Sequence, residues 1–351
     1  MSPPRIDQPF IVGVIDTLAG QVPRISYTLT FKDNLGAVKV RFGIGRMNYT
    51  VDPGLYALGT PGPDDPVFVS ANYKLSFDRL REALPGRNGW ILVLDTKGIN
   101  VWCAAGKGTF GTEELLQRIS SSNLEKVVNH HTLILPQLAG PGVAAFEVKK
   151  RSGFRVVFGP VQASDLPAFL EAGLEAMPAM RTKTFTAGER LVLVPVELMG
   201  AIKIGILVLT AIFVISFFLS GTSVGVAFRY TYNSALALLL GILAGAVFTP
   251  FLLPWLPGRS FSVKGLLPGI VGAAVFFSIH WSGEVGKEAF ELYAWLPAIP
   301  SISTYLAMNF TGSSTFTSLS GVRKEMRRAV PLQIAGATCG LALWISSFFI
   351  H

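Results

Sequence analysis

Charge and cysteine are both scarce in this 351-residue chain. Charged residues make up 15%, against roughly 25% in an ordinary soluble domain. Half of the chain is hydrophobic and mean hydropathy is +0.48. That balance excludes a disordered chain, a coiled coil and a secreted miniprotein, and a single water-soluble globule could not cover so much apolar sequence. The two cysteines, Cys103 and Cys339, lie far apart. They form neither a disulfide framework nor a Cys-x-x-Cys pair, so a zinc or iron–sulfur centre made by this chain alone is not expected. Acidic residues are outnumbered, 22 against 30 basic ones, for a net charge of +8. Such an excess points to nucleic acid or a membrane surface. The segment from Met1 to Gln8 is polar and proline-rich, and no cleavable apolar region follows it.

What the chain does have is long apolar runs, and all of them fall in its second half. A bilayer core of ~30 Å takes about 20 mostly apolar residues per helix. Five runs qualify, at about 198–219, 234–253, 266–281, 290–308 and 330–350. The fourth is interrupted by Pro297 and Pro300. With the N-terminal half in the cytoplasm, Arg181, Lys183, Arg190, Lys203, Arg259, Lys264, Arg323, Lys324, Arg327 and Arg328 flank the inner ends. Arg229 and Lys287 are left outside. Ten basic residues against two satisfies the positive-inside rule. This orientation puts the C-terminus outside and explains much of the positive balance without nucleic acid. The expected organisation is therefore a soluble domain over 1–180, a linker over 181–197 and an all-α transmembrane domain over 198–351.

The first half alternates short strands with helices, as in a Rossmann-like α/β domain with a mostly parallel sheet. Strands are expected at Phe10–Ile15, Val67–Ser70, Trp90–Asp95, Thr132–Leu135 and Arg155–Phe158. Helices are expected at Ser76–Leu84, Thr112–Ile119, Val143–Lys150 and Asp165–Ala172. Asp33-Asn34-Leu35-Gly36 has the composition of a turn and predicts a hairpin between Arg24–Phe31 and Ala37–Phe42. Ligands of such sheets bind at the carboxyl ends of strands. Ser70-Ala71-Asn72-Tyr73, the stretch after Trp102 and Leu135-Pro136-Gln137-Leu138 are suitably placed.

The segment richest in chemistry runs from Asn100 to Thr112. Gly106-Lys107-Gly108-Thr109-Phe110-Gly111 fits G-x-G-x-x-G, a weak signature of a nucleotide site when it stands alone. Cys103 offers a second reading. Small residues follow it, so a flat, bulky group could approach the backbone, and a nearby helix N-terminus favours a thiolate. One soft ligand cannot hold a bare ion, but it can serve as the axial ligand of a metal already held by a macrocycle.

Asn100-Val101-Trp102-Cys103-Ala104-Ala105-Gly106-Lys107 resembles the signature of the corrinoid proteins of microbial mercury methylation, the HgcA family. The surrounding sheet domain is similar to the corrinoid-binding domain of the corrinoid iron–sulfur protein of the acetyl-CoA pathway. The resemblance covers the whole chain, a corrinoid domain followed by about five membrane helices, and Ser70-Ala71-Asn72-Tyr73-Lys74 resembles a further loop of the family.

The resemblance implies cobalamin or a related corrinoid, with Cys103 as the axial cobalt ligand and catalytic residue and the benzimidazole displaced. It implies that Asn100, Val101, Trp102, Ala104, Ala105, Gly106 and Lys107 shape that face. By fold geometry, Asn72, Pro136, Gln137 and Gly159 are expected along the corrin or its tail. The implied activity is transfer of a methyl group, formally a carbanion, to mercury(II). The implied partners are an iron–sulfur protein of ferredoxin type for electrons and a methylfolate or methylcorrinoid donor, at a lipid membrane and without nucleic acid. The competing readings are a corrinoid methyl carrier with another acceptor, and a transporter or sensor with a nucleotide-binding domain. Of the remaining residues, His130 and His131 read as surface or loop positions, Cys339 as packing, and Glu284, Glu288 and Glu291 as a solvated face.

Overall fold

The computed structural model describes residues 3–281, 287–313 and 319–350, so Glu284 and the side chain of Glu288 lie outside what is described. The chain divides into two compact units, Met1–Val40 with Ile44–Thr184, and Arg41–Gly43 with Phe185–His351.

The first unit is built on seven strands: β1 (Ile11–Thr17), β2 (Gly20–Ile25), β3 (Gly54–Leu58), β4 (Val67–Ala71), β5 (Gly89–Leu94), β6 (Thr132–Leu135) and β7 (Arg155–Phe158). Their order in the sheet is β1-β2-β3-β5-β4-β6-β7. The sheet is mixed. β5, β4, β6 and β7 run parallel, β3 is antiparallel to β5, and β1 and β2 form an antiparallel hairpin at the edge. Every residue of β3, β4 and β5 is buried, as expected of strands covered on both faces. Alternation sorts their side chains. Val67, Val69, Leu92, Leu94 and Leu133 enter one core with Ala104 and Leu115 of α3 (Val101–Lys107) and α4 (Thr112–Ser121). Phe68, Ile91, Val93 and Ile134 enter the other with Phe77 and Leu80 of α2 (Lys74–Glu82). The connections after β4 and after β5 therefore lie on opposite faces. Sheet order reverses between β4 and β6, the switch point at which doubly wound sheets open a crevice. The helices α5 (Ala145–Ser152) and α6 (Leu166–Glu171) complete the two layers.

The expected hairpin around Asp33 is a helix, α1 (Phe31–Arg41). Thr30 and Asp33 bond reciprocally across its first turn: Thr30 N donates to Asp33 Oδ2 at 2.9 Å, and Asp33 N to Thr30 Oγ1 at 3.2 Å. The Asp33 side chain also lies 2.5 Å from Lys74 Nζ and 3.0 Å from Arg81 Nη2. Asp78 pairs with the same two cations, and Arg81 is fully buried. Burial opposes ionisation of Asp33, but the bonds from Lys74 and Thr30 outweigh it and hold the carboxyl well below the usual carboxylate range.

The second unit is helical: α7 (Ala187–Leu191), α8 (Val194–Leu219), α9 (Val224–Ile242), α10 (Thr249–Leu252), α11 (Phe261–His280), α12 (Lys287–Asn309) and α13 (Leu319–Ser346). A π-helical turn joins α9 to α10, and much of the expected linker, from Ala187 on, is already helical. Among the described residues, four helices are long and apolar enough to cross a membrane: Ala187–Leu219, Val224–Leu252, Phe261–His280 and Ser320–Ser346. The fifth expected span, α12, forms but falls outside this set, because Glu291, Pro297 and Pro300 dilute its hydropathy.

Its interior position tolerates them. A Cβ on Gly265 of α11 would lie 2.5 Å from Ala307, and one on Gly340 of α13 would lie 2.6 Å from Ala294 O. Small residues thus bring both neighbours against α12, as in packed membrane helices. Glu291 is 3% exposed and accepts a bond from Asn233 Nδ2 at 3.0 Å, so it is a buried partner rather than part of a solvated face. Cys339, expected in packing, is exposed on α13.

Candidate functional site

A cleft of about 790 Å³ opens at the carboxyl ends of β4 and β6. Phe68 and Ile134 lie deep in it, and Ser70, Leu135 and Pro136 mark the strand ends. Asn100, Val101 and Trp102 close one side, and Pro160 and Gln162 follow β7 on another. A volume of this size suits an organic ligand of substantial bulk.

The segment Asn100–Lys107 is a capped helix rather than a loop ahead of one. Asn100 is extended, and its Oδ1 accepts a bond from Cys103 N at 2.9 Å, so Cys103 sits in the first turn of α3. The approach to α3 is fixed from behind. Asn72 Oδ1 accepts from Thr96 N at 3.1 Å and Gly98 N at 3.0 Å, and Thr96 Oγ1 lies 2.8 Å away. Its Nδ2 donates to Asp95 Oδ1 at 3.3 Å. Desolvation opposes the charge on Asp95, yet bonds from the Lys97 side chain and backbone hold its carboxyl below the usual range. Lys97 and Gly98 both take the left-handed conformation, with φ of 58° and 70°. The tight turn they make is held by the Asn72 amide.

The helix has two unlike faces. Cys103, Gly106 and Lys107, spaced i, i+3 and i+4, share an exposed side, and nothing lies within 4 Å of where a Cβ on Gly106 would be. Ala104 and Ala105 are buried in the core instead. The backbone there is closely approached: a Cβ on Gly142 would lie 3.0 Å from Ala105 Cα and 2.2 Å from Phe110 O. The room expected around the whole Ala-Ala-Gly run is therefore confined to Gly106. Gly108 closes α3 in the left-handed conformation (φ 81°), with its N–H on the carbonyls of Ala104 and Ala105, and Phe110 is fully buried. Gly108 of the glycine pattern is thereby accounted for as a helix C-cap.

Of the expected site residues, Asn100, Val101, Trp102 and Pro136 line the cleft, while Cys103, Gly106 and Lys107 form the open face of α3 beside it. Asn72 stands behind as support. Gln137 is half-buried and accepts from Arg181 Nη1 at 3.0 Å. Gly159 is buried, with Ile134 and Phe169 at 3.3 and 3.5 Å from where its Cβ would be. Tyr73, at one of the expected strand ends, lines the cleft as well, and sequence reasoning missed Ser76, Arg79, Pro160, Gln162 and Ser164, which line it too. The end of β7 was the available signal for Pro160 and Gln162. His130 is satisfied by Asp65 O at 2.8 Å, and among the described residues no cluster of three or more His, Cys, Asp or Glu side chains could hold a metal ion.

Residues 37–170 match the family model for the CO dehydrogenase/acetyl-CoA synthase delta subunit, CdhD. The acetyl-CoA decarbonylase/synthase complex subunit gamma of Archaeoglobus fulgidus is 34% identical over 139 residues, covering 38% of this chain and 29% of that protein. The gamma subunit of Methanopyrus kandleri is 32% identical over 123 residues, covering 34% and 26%. That of Methanothermobacter thermautotrophicus is 30% identical over 128 residues, covering 36% and 28%. The chain thus spans under a third of the length of these relatives. The family match contains β3 to β7, α3 and the cleft, and it ends before α7, where the helices of the second unit start. The α/β unit is accordingly similar to the acetyl-CoA pathway subunits that its sequence already resembled.

Proposed function

We propose that this chain is a membrane-anchored corrinoid protein that transfers a methyl group to mercury(II). The observation that carries the reading is Cys103 on the open face of α3, next in sequence to the cleft-lining Trp102 and within the segment similar to the acetyl-CoA pathway subunits. The residues present fit a corrinoid: a large cleft at the switch point, an exposed thiol, and no side chain on Gly106 to obstruct a flat group. When bound, a corrinoid supplies a cobalt-held methyl group for transfer to an electrophile.

Cys103 would hold the corrinoid's cobalt through its thiolate, taking the place of benzimidazole. A thiolate is a stronger electron donor than an imidazole, so a bound corrinoid would supply a methyl group more readily given to an electrophile. Asn100 fixes the turn that presents the thiol, and Asn72 fixes the loop that presents Asn100. Val101, Trp102 and Pro136 would give the ligand its apolar wall; Ala104, Ala105 and Gly159 allow the close packing behind it; Gln137 would serve the displaced tail. Gly106 and Lys107 complete the outer face. Electrons come from an iron–sulfur partner, since two distant cysteines cannot hold a cluster.

The helical unit anchors the chain. For Arg259 and Lys264 to stay on the same side as Arg323–Arg328, α12 must cross along with the four more apolar spans. This leaves the α/β unit in the cytoplasm, with the methyl donor, and the C-terminus outside. Anaerobic reconstitution of the full chain with cobalamin and a reductant, followed by a methylmercury assay, tests the proposal. Methylmercury from the native chain and none from Cys103→Ala is expected; equal yields contradict it. The likeness to subunits named for an acetyl-CoA decarbonylase/synthase complex favours a second reading, a methyl carrier for another acceptor. A reconstituted chain that is methylated yet leaves mercury(II) untouched would establish that one.

A further inference from the structure

In the helical unit, a cavity of about 620 Å³ lies among α11, α12 and α13 at the end where α11 and α13 begin. Gln333 lines it, is only 8% exposed, and among the described residues has no hydrogen-bond partner on either Nε2 or Oε1. A buried primary amide with all its bonds unmade is costly, and the more so among apolar helices. The mouth of the same cavity carries Arg259, Lys324 and Arg328, and among the described residues none of these three forms an ion pair. One carboxylate is present, Glu325, and it is committed to the backbone of α11, accepting a bond from Ser262 N at 2.7 Å. Phe261, Leu266 and Leu332 supply apolar wall below the charges. The cavity thus joins three uncommitted cations and an unpartnered amide to a greasy interior.

We infer that this cavity binds a phosphate-bearing anion, with the three cations on the phosphate and the Gln333 amide on its ester or glycerol oxygens. Its apolar wall suits the headgroup and first methylenes of an anionic phospholipid. Basic pockets between membrane helices bind such headgroups. The inference stands apart from the corrinoid reading and uses none of its residues.

The test uses the full chain, purified in a neutral detergent and stripped of lipid. Retention of phosphatidylglycerol against phosphatidylcholine is measured by native mass spectrometry, and inorganic phosphate is titrated separately by thermal shift. The native chain should prefer phosphatidylglycerol, and each Arg or Lys changed to Gln at 259, 324 or 328 should weaken that preference on the order of fivefold. Gln333→Leu should also lose the preference, while unfolding of the stripped protein stays the same or moves to higher temperature, since an unpaired buried amide is removed. A residue of purely structural role would lower that temperature. A response to inorganic phosphate that the same variants abolish, without lipid preference, assigns the site to a soluble phosphate. The phosphate arm also keeps failure of the site distinct from failure of the membrane reading. Equal retention of both lipids with no phosphate response, or native behaviour in either the triple variant or Gln333→Leu, overturns the inference.

Discussion

The two units of this chain put charged and apolar side chains in opposite places. In the α/β unit, the fully buried cation is answered by polar partners: Arg81 has no exposed surface, and its guanidinium meets Asp33, Asp78 and the carbonyls of Ser26 and Thr28. In the helical unit, large apolar side chains lie outside: Leu207 and Phe218 of α8 are each 69% exposed. Only 11% of the apolar window of Ala187–Leu219 is buried. A water-facing surface of that kind would aggregate, whereas a lipid-facing one is at rest. The difference teaches that burial must be read against the solvent each unit meets.

The sharpest way to break the contrast is to orphan the buried charges. Arg81→Leu leaves Asp33 and Asp78 short of a cation, and removing one partner of a buried pair costs about 3–5 kcal/mol. Urea unfolding followed by hydrogen exchange in β4 and β5 should show this loss, with exchange in α11 and α12 unchanged. The same substitution placed in each unit gives the next largest effect. Leu207→Lys should penalise membrane insertion by about 3 kcal/mol. Leu18→Lys, at a site 88% exposed in the β1–β2 turn, should stay within about 0.5 kcal/mol. Insertion and urea assays on the two variants check it, and equal costs would erase the distinction between solvents.

Gly142→Ala should destabilise the α/β unit by about 1–3 kcal/mol through overpacking, since the new methyl meets Ala105 and Phe110. It should also weaken cobalamin uptake with Cys103 intact, read by titration of the reconstituted chain. The smallest effect is the pH dependence. The Asp33 carboxyl is held below its unfolded range, so the unfolded state binds the proton first. Its contribution to stability is complete above about pH 4 and falls as pH drops toward the folded value, by at most about 1.4 kcal/mol per pH unit. Asp33→Asn should abolish that slope in acid titrations followed by circular dichroism.

Regular hydrophobic pattern was legible in the sequence, and long-range pairing was not. The uncharged Ile91–Leu94 run could only be a buried strand, and the runs after Leu198 could only be helices. The helix α1 was hidden because Asp33-Asn34-Leu35-Gly36 carries turn composition. What makes it helical is the bond to Thr30, reinforced by Lys74 and Arg81, which are 41 and 48 residues away. The strand β3 was hidden by the prolines and glycines around it, although Tyr56, Ala57 and Leu58 are fully buried. At the site, the order of residues around Cys103 was legible and their faces were not. The difference between buried Ala105 and open Gly106 depends on Gly142, a residue brought there by the fold.

The central claim is that the Cys103 thiolate provides the lower ligand of a bound corrinoid. The direct measurement is the visible and electron paramagnetic resonance spectrum of the full chain reconstituted with cobalamin under reducing conditions, compared with Cys103→Ala. The account predicts a base-off cobalt signature without nitrogen hyperfine coupling from benzimidazole, changed by the substitution. A spectrum showing the benzimidazole still on cobalt, or one identical in the two proteins, would contradict it.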